Sequence, residues 1–139
     1  MKRIILAIGL ALIAVPAMAQ PHAKEEDTAL KACMDKADDN AAMGKCAVAY
    51  AKRQEAALTK AWKRAYSLMD NKDAKKALLD EQRAWVKFKD KACSFWNKGD
   101  FGSQIVVTAP MCLANIVKNR VDQLNEISDT LNREPTSGN

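Results

Sequence analysis

Apolar residues recur every three or four positions through most of the chain, which is the spacing of one face of an α-helix. Between Pro21 and Gly99 the only glycine or proline is Gly44, so long helices are expected there. The clearest stripe predicts a helix over about 41–69, with its inward side formed by Ala47, Tyr50, Ala51, Leu58, Ala61, Ala65 and Leu68.

Two further stretches predict helices on either side of this one. A shorter helix is expected over about 24–36 and a longer one over about 74–97. Polar runs separate the three, and Asn40 and Asp73 are the expected N-caps, because short polar side chains accept hydrogen bonds from the first helical turn.

The helical pattern breaks at residues 97–103, where two glycines among small polar residues predict a loop. Residues 104–107 are mostly β-branched and are expected to be briefly extended. A fourth helix is expected to begin with Thr108 as its cap and Pro110 in its first turn. The predicted fold class is therefore all-α, a small disulfide-linked bundle of about four helices.

The start of the chain has the pattern of a secretory signal peptide over residues 1–19. Basic Lys2 and Arg3 precede an apolar run over 4–15, and Ala17-Met18-Ala19 resembles a cleavage site. The run is too short to span a bilayer. We expect a helical domain over 20–134 and a disordered tail over 135–139. The protein is expected to be periplasmic or secreted, without membrane insertion after cleavage.

Four cysteines lie beyond the expected cleavage site, and an even number in an exported chain predicts disulfides. Cys33 and Cys46 fall at facing ends of the first two predicted helices. Cys93 and Cys112 fall at facing ends of the last two. The helical pattern therefore predicts the pairs Cys33–Cys46 and Cys93–Cys112. With His22 as the only histidine, no metal and no cofactor are expected.

Charge and residue types narrow the function. The formal net charge of +5 is a mild excess without a basic block, so no nucleic-acid partner is expected. The sequence shows no arrangement of a nucleophile with a base, so no catalytic residue and no enzyme activity are predicted. A protein partner is the remaining expectation.

The order of motifs between Cys33 and Leu124 is distinctive. The most specific is Gln82-Arg83-Ala84-Trp85, followed by Phe88, Asp90, Cys93, Gly102-Ser103 and Cys112. With these features the chain resembles the LprI-like lysozyme inhibitor family. The resemblance implies an exported helical binding domain and a partner such as a lysozyme or another cell-wall hydrolase.

The loop after the third helix is the candidate partner-binding site, because loops on rigid scaffolds often carry function. Phe101, Gly102, Ser103 and Gln104 are the candidate residues. They would fill a lysozyme cleft and hydrogen-bond the carboxylates that the enzyme uses on its substrate. The alternative is a plain connector whose glycines allow tight turning.

The Gln82, Arg83 and Trp85 motif has two readings, a partner-binding patch or a structural element, and its place on the apolar stripe favours the structural one. Gln82 is expected to hydrogen-bond a loop backbone, and Arg83 has a carboxylate as its alternative partner. The aromatic residues expected in the core are Trp62, Phe88, Phe95 and Trp96. Exposure of Trp96 or Phe101, which flank the loop, is the less favoured alternative.

The alternating lysines Lys87, Lys89 and Lys91 suit a solvated helix face better than a contact with an acidic surface. Three functional hypotheses remain. The first is an inhibitor of lysozyme-like hydrolases that acts by steric occlusion. The others are an envelope structural or stress-related interaction module, and an immunity protein against a cell-wall toxin.

Overall fold

A computed structural model of the chain describes residues 27–133. The predicted signal peptide, the start of the domain, His22 and the predicted tail over 135–139 lie outside these residues. Within them the all-α prediction is confirmed. The helices are α1 (Thr28–Met34), α2 (Asn40–Leu68), α3 (Lys72–Ala92) and α4 (Ile105–Arg133), with short 3₁₀ turns at Ser94–Asn97 and Gly102–Gln104.

Helix α1 is held to α2 at both of its ends. Asp27 caps α1 by accepting from the Leu30 N–H at 2.7 Å, and it pairs with the Arg53 guanidinium at 3.0 Å. Burial raises the pKa of Asp27, but the Leu30 hydrogen bond and Arg53 outweigh it, so the pKa lies below the usual 3.8. At the other end of α1, Cys33 is bonded to Cys46.

The residues that cap α2 and α3 lie one or two positions before the predicted ones. Asp39 caps α2 by accepting from Ala42 N, and Asn40 is already the first helical residue. Asn71, and not Asp73, caps α3. Both turns contain consecutive Asp and Asn residues of similar capping strength, so composition alone does not choose among them.

The prediction for the start of α4 was wrong. Residues 105–107 are helical, the Thr108 hydroxyl donates to the carbonyl of Gln104 instead of capping, and Pro110 lies inside the helix. Pro110 has no N–H for the carbonyl of Val106. That carbonyl instead lies against Gly44 of α2, where an added Cβ would come within 2.9 Å of it. The close approach of α2 and α4 at Gly44 outweighs the small helix penalty of β-branched residues.

Helices α2 and α4 run parallel and form the main contact of the fold. Asn40 reaches Ser103 at one end of the pair, and Arg64 reaches Asp129 at the other. Helix α3 packs against this pair from outside and runs in the opposite direction, since Lys89 near its end meets Glu55 in the middle of α2. The long return from α3 to α4 therefore brings residues 93–104 to the end of the molecule where α2 begins.

The two ends of the bundle are stabilised differently. The core end contains the larger buried cluster, formed by Leu58, Ala61, Ala65, Leu78, Val117, Val121 and Leu124. The disulfide end has a small cluster of Tyr50, Ala51 and Ala114. Both predicted disulfides, Cys33–Cys46 and Cys93–Cys112, are confirmed, and both lie at this end.

Candidate functional site

The predicted site residues Phe101, Gly102, Ser103 and Gln104 lie together at the disulfide end and are all exposed. They are more ordered than the loop expected from the sequence. Gly102–Gln104 forms a 3₁₀ turn that leads directly into α4. We call Phe95, Trp96 and residues 101–104 the loop patch.

Three aromatic rings form the apolar part of the loop patch. The Trp96 ring lies 4.6 Å from Phe95 and 4.9 Å from Phe101 between centroids, with tilted or edge-on geometry. Phe95 and Phe101 contact each other edge to face at 6.3 Å. Such pairs fix the ring orientations. Even so, Phe95 is 52% exposed and Phe101 42% exposed, so the cluster presents apolar surface to solvent.

The backbone of the loop patch turns tightly beneath these rings. Gly102 has φ = 64°, a left-handed conformation that glycine adopts without steric cost. Its N–H donates to Asp100 Oδ1 at 3.3 Å. At Gly99 an added Cβ would collide with the Phe101 ring, which therefore lies folded over that residue. The glycines thus serve tight turning, as the connector reading expected, and they also position Phe101.

The loop patch is fixed to the helices on two sides. The Cys93–Cys112 disulfide joins the residue before the first 3₁₀ turn to α4. The Asn40 side chain donates to Ser103 Oγ at 2.7 Å and joins the second turn to the start of α2. Since Ser103 Oγ acts there as an acceptor, its own O–H remains able to donate to a partner.

Two of the aromatic residues expected in the core are exposed. Phe88 is 56% exposed on α3 and Phe95 belongs to the loop patch, whereas Trp62 and Trp96 are partly buried. The reason is the position of α3, of which only Leu78 is fully buried. An α3 residue off its narrow contact stripe has nothing to pack against, and helical spacing alone does not reveal this.

The Gln82 and Trp85 side chains contact a buried cation, Arg120 of α4. Arg120 is only 2% exposed. Its Nε donates to Gln82 Oε1 at 2.8 Å, its Nη1 donates to Glu81 at 2.7 Å, and its guanidinium lies over the Trp85 ring at 6.0 Å. The expected hydrogen bond from Gln82 to a loop backbone was wrong. Arg83 is exposed and pairs with Asp80 at 3.5 Å.

Arg120 was not singled out from the sequence, although an arginine on the apolar stripe of α4 is the signal that marks it. It borders an open groove of about 470 Å³ between α3 and α4, lined also by Glu81, Gln123, Glu126, Ile127, Thr130 and Leu131. The groove lies toward the core end, away from the loop patch.

No group of three His, Cys, Asp or Glu side chains within residues 27–133 is placed to hold a metal ion. None of the helices there is both long and apolar enough to cross a bilayer.

Comparison with families of known proteins identifies a match. The model of a family described as "Lysozyme inhibitor LprI" matches residues 33–124. This range includes all four cysteines, Arg120 with the α3 residues that contact it, and the loop patch. No curated protein and no solved structure matches significantly.

Proposed function

The chain belongs to the LprI lysozyme inhibitor family, and from that premise we propose that it inhibits a lysozyme-like cell-wall hydrolase by inserting the loop patch into its cleft. It acts by binding and not by catalysis. The inhibitor meets such a target outside the cytoplasm, in the periplasm or beyond, which agrees with the signal peptide expected from the sequence.

The observation that carries the proposal is the exposure of a fixed aromatic cluster. Phe95 and Phe101 are held in place by Trp96, yet both residues remain exposed to solvent. Apolar surface of this kind gains free energy when a partner covers it. Aromatic side chains are also common energetic centres of protein interfaces.

The rigidity of the loop patch supports the same role. Binding of a flexible loop loses affinity because its backbone and side chains must become ordered. Here the Cys93–Cys112 disulfide and the Asn40–Ser103 hydrogen bond order the segment before any partner arrives. The residues that follow Phe101 are therefore presented in one conformation.

The polar groups of the loop patch suit a cleft that contains carboxylates. Glycosidases of the lysozyme type use a pair of carboxyl groups that flank the scissile bond. Ser103 and Gln104 offer a hydroxyl and an amide, both of which donate hydrogen bonds. Asp100, the carboxylate that precedes Phe101 in the chain, already accepts a hydrogen bond from the Gly102 N–H through Oδ1.

Net charge gives the interaction a characteristic salt dependence. The chain carries a formal charge of +5, of which Lys2 and Arg3 in the expected signal peptide contribute two. Many lysozymes are also basic, so long-range attraction would not assist their encounter with this protein. Affinity would rest on local contacts, and inhibition is expected to change little between low and moderate salt.

The experiment is an inhibition assay on a cell-wall suspension with lysozymes of several types. Gln104→Glu keeps the size of the side chain but places a carboxylate against the carboxylates of the cleft, so it should weaken inhibition by roughly tenfold or more. Phe101→Ser should weaken it comparably by removing an apolar anchor.

Two matched controls separate the site from general effects. Asn119→Asp changes the charge equally at an exposed position of α4, and Phe88→Ser removes a ring from α3 that is even more exposed than Phe101. Both should inhibit like the unmodified protein. Inhibition that survives Gln104→Glu and Phe101→Ser would refute the assignment of the loop patch. If no lysozyme is inhibited at all, the hydrolase proposal fails, and the envelope-module hypothesis takes its place.

A further inference from the structure

A second surface, on the side of α3 that faces away from the bundle, has no role in the proposed inhibition. It contains Phe88 and three lysines, Lys87, Lys91 and Lys98, all exposed. We propose that this α3 face is an attachment surface for an anionic phospholipid membrane, on which the protein adsorbs without crossing the bilayer. The proposal is independent of the inhibitory function.

The residues share one face because of helical geometry. At 3.6 residues per turn, positions 84, 87, 88 and 91 fall within an arc of about 100° around the helix axis. Phe95 lies seven positions after Phe88, on the same side, and Lys98 follows Phe95 by one turn of the 3₁₀ segment. The buried Leu78 and the inward Trp85 lie on a different side of α3.

The lysines of this face are not neutralised by neighbouring carboxylates. Lys87, Lys91 and Lys98 make no ion pair within the described residues, whereas Lys89, between them in sequence, pairs with Glu55 and Asp90. The other carboxylate nearby in the chain, Asp100, makes no ion pair with these lysines and accepts a backbone hydrogen bond from Gly102. Its single negative charge offsets only part of the charge of the three lysines, so the surface keeps a positive excess, which complements an anionic partner.

The shape and the apolar component favour a membrane over a polymer. The surface is the convex side of a helix, and the groove of the molecule lies elsewhere, beside Arg120. A convex face suits a broad surface better than a single polymer chain. Phe88, at 56% exposed, has a wholly apolar ring that suits the boundary between headgroups and acyl chains. Lysines beside it can reach the phosphates.

A basic face of this kind is poorly matched to a basic hydrolase, which makes it a second surface and not an extension of the first. On an anionic membrane it would leave the loop patch at its border, since Phe95 adjoins both surfaces. Adsorption would then hold the inhibitor at the envelope without consuming Gln104 or Ser103.

The test is co-sedimentation of the purified chain, without residues 1–19, with lipid vesicles. Vesicles of phosphatidylcholine alone are compared with vesicles that contain equal parts of phosphatidylglycerol. Binding is expected only to the second kind, and high salt should weaken it. The triple change Lys87→Gln, Lys91→Gln and Lys98→Gln should lower the affinity by roughly 100-fold. Phe88→Ser should lower it several-fold.

Controls are available within the same chain. The triple change Lys52→Gln, Lys60→Gln and Lys63→Gln removes the same charge from exposed, unpaired positions of α2. Val86→Ser removes an exposed apolar side chain from the opposite side of α3. Both should bind as the unmodified protein does. Circular dichroism confirms that each variant is folded.

Three outcomes would overturn the proposal. The first is no binding to the anionic vesicles. The second is an equal loss in the α2 triple variant, which would mean that net charge alone matters. The third is binding to purified cell wall without binding to vesicles, which would assign the surface to an anionic glycan. The inhibition assay is unaffected by these outcomes, because Phe88→Ser serves there as a silent control.

Discussion

The core end and the disulfide end of the bundle achieve order by different means. At the core end, Leu124 and Val117 are fully buried and no disulfide is present among the described residues. At the disulfide end the buried cluster is small, but Cys33–Cys46 and Cys93–Cys112 tie its segments together. Cross-links at this end replace burial, and this leaves apolar side chains such as Phe101 at the surface.

Because the two ends are ordered differently, the residues that stabilise the fold are largely separate from those proposed to bind a partner. A segment ordered by packing must bury its apolar side chains, whereas a segment ordered by a disulfide keeps them available. The loop patch lies entirely at the disulfide end. Changes at the core end should therefore act mainly on unfolding, and changes at the disulfide end should act on partner binding as well.

The largest effect is expected at the centre of the core end. Leu124→Ala should lower the free energy of unfolding by about 4 kcal/mol, because it removes a fully buried side chain and leaves a cavity. Met111→Ala, a partly buried position at the disulfide end, should cost about half as much or less. Urea unfolding measures both. Equal losses in the free energy of unfolding would show that burial stabilises both ends to the same extent, which contradicts the difference described above.

Removing one disulfide comes next. Cys93→Ser with Cys112→Ser should cost about 3 kcal/mol, and Cys33→Ser with Cys46→Ser a similar amount, since the two loops differ little in length. Their effects on inhibition should differ. The first pair releases the loop patch and should weaken inhibition, while the second leaves it attached. Thermal unfolding and the cell-wall assay together test this, and an equal loss of inhibition would contradict it.

The buried cation of α4 gives a smaller effect. Arg120→Lys cannot keep the bonds to both Gln82 and Glu81 and should cost about 2 kcal/mol. Arg83→Lys, on an exposed arginine of the neighbouring α3, should change stability by less than about 0.5 kcal/mol. Neither should alter inhibition. Weaker inhibition by a folded Arg120→Lys protein would mean that the groove takes part in binding.

The smallest effect concerns α1. Asp27→Ala loses the cap and the Arg53 pair and should cost about 1 kcal/mol, whereas Asp27→Asn keeps the cap and should cost less. Because the folded pKa of Asp27 lies below 3.8, its charge stabilises the fold above that pH and ceases to do so as the pH falls below it. Unfolding at a series of acidic pH values should show Asp27→Asn converging on the unmodified protein, whereas Asp27→Ala should keep the part of its deficit that comes from the lost cap. A constant difference between Asp27→Asn and the unmodified protein down to the lowest pH would exclude this role for the charge.

Helical spacing predicted the bundle and the disulfide pairing because both depend on local periodicity. Cys33 and Cys46 face each other once the turn between two helices is placed, and the same holds for Cys93 and Cys112. Spacing could not predict which side of α3 remains uncovered, since that depends on the distance between helices. Phe88 and Phe95 were for this reason expected in the core.

The start of α4 shows a second limit. The β-branched residues before Pro110 favour an extended segment when they are considered alone. Their helical conformation depends on the contact of Val106 with Gly44, which is sixty-two positions earlier in the chain and invisible to a local pattern. The turn that contains residues 101–104 was nevertheless recognisable from the sequence, because glycines and small polar residues mark turns directly.

Hydrogen–deuterium exchange of the inhibitor with and without a bound lysozyme tests the central claim most directly. The account predicts that residues 94–104 become protected in the complex, while the groove residues 123–131 exchange as they do in the free protein. Protection confined to the groove, or an unchanged loop patch in a complex that still inhibits, would contradict it.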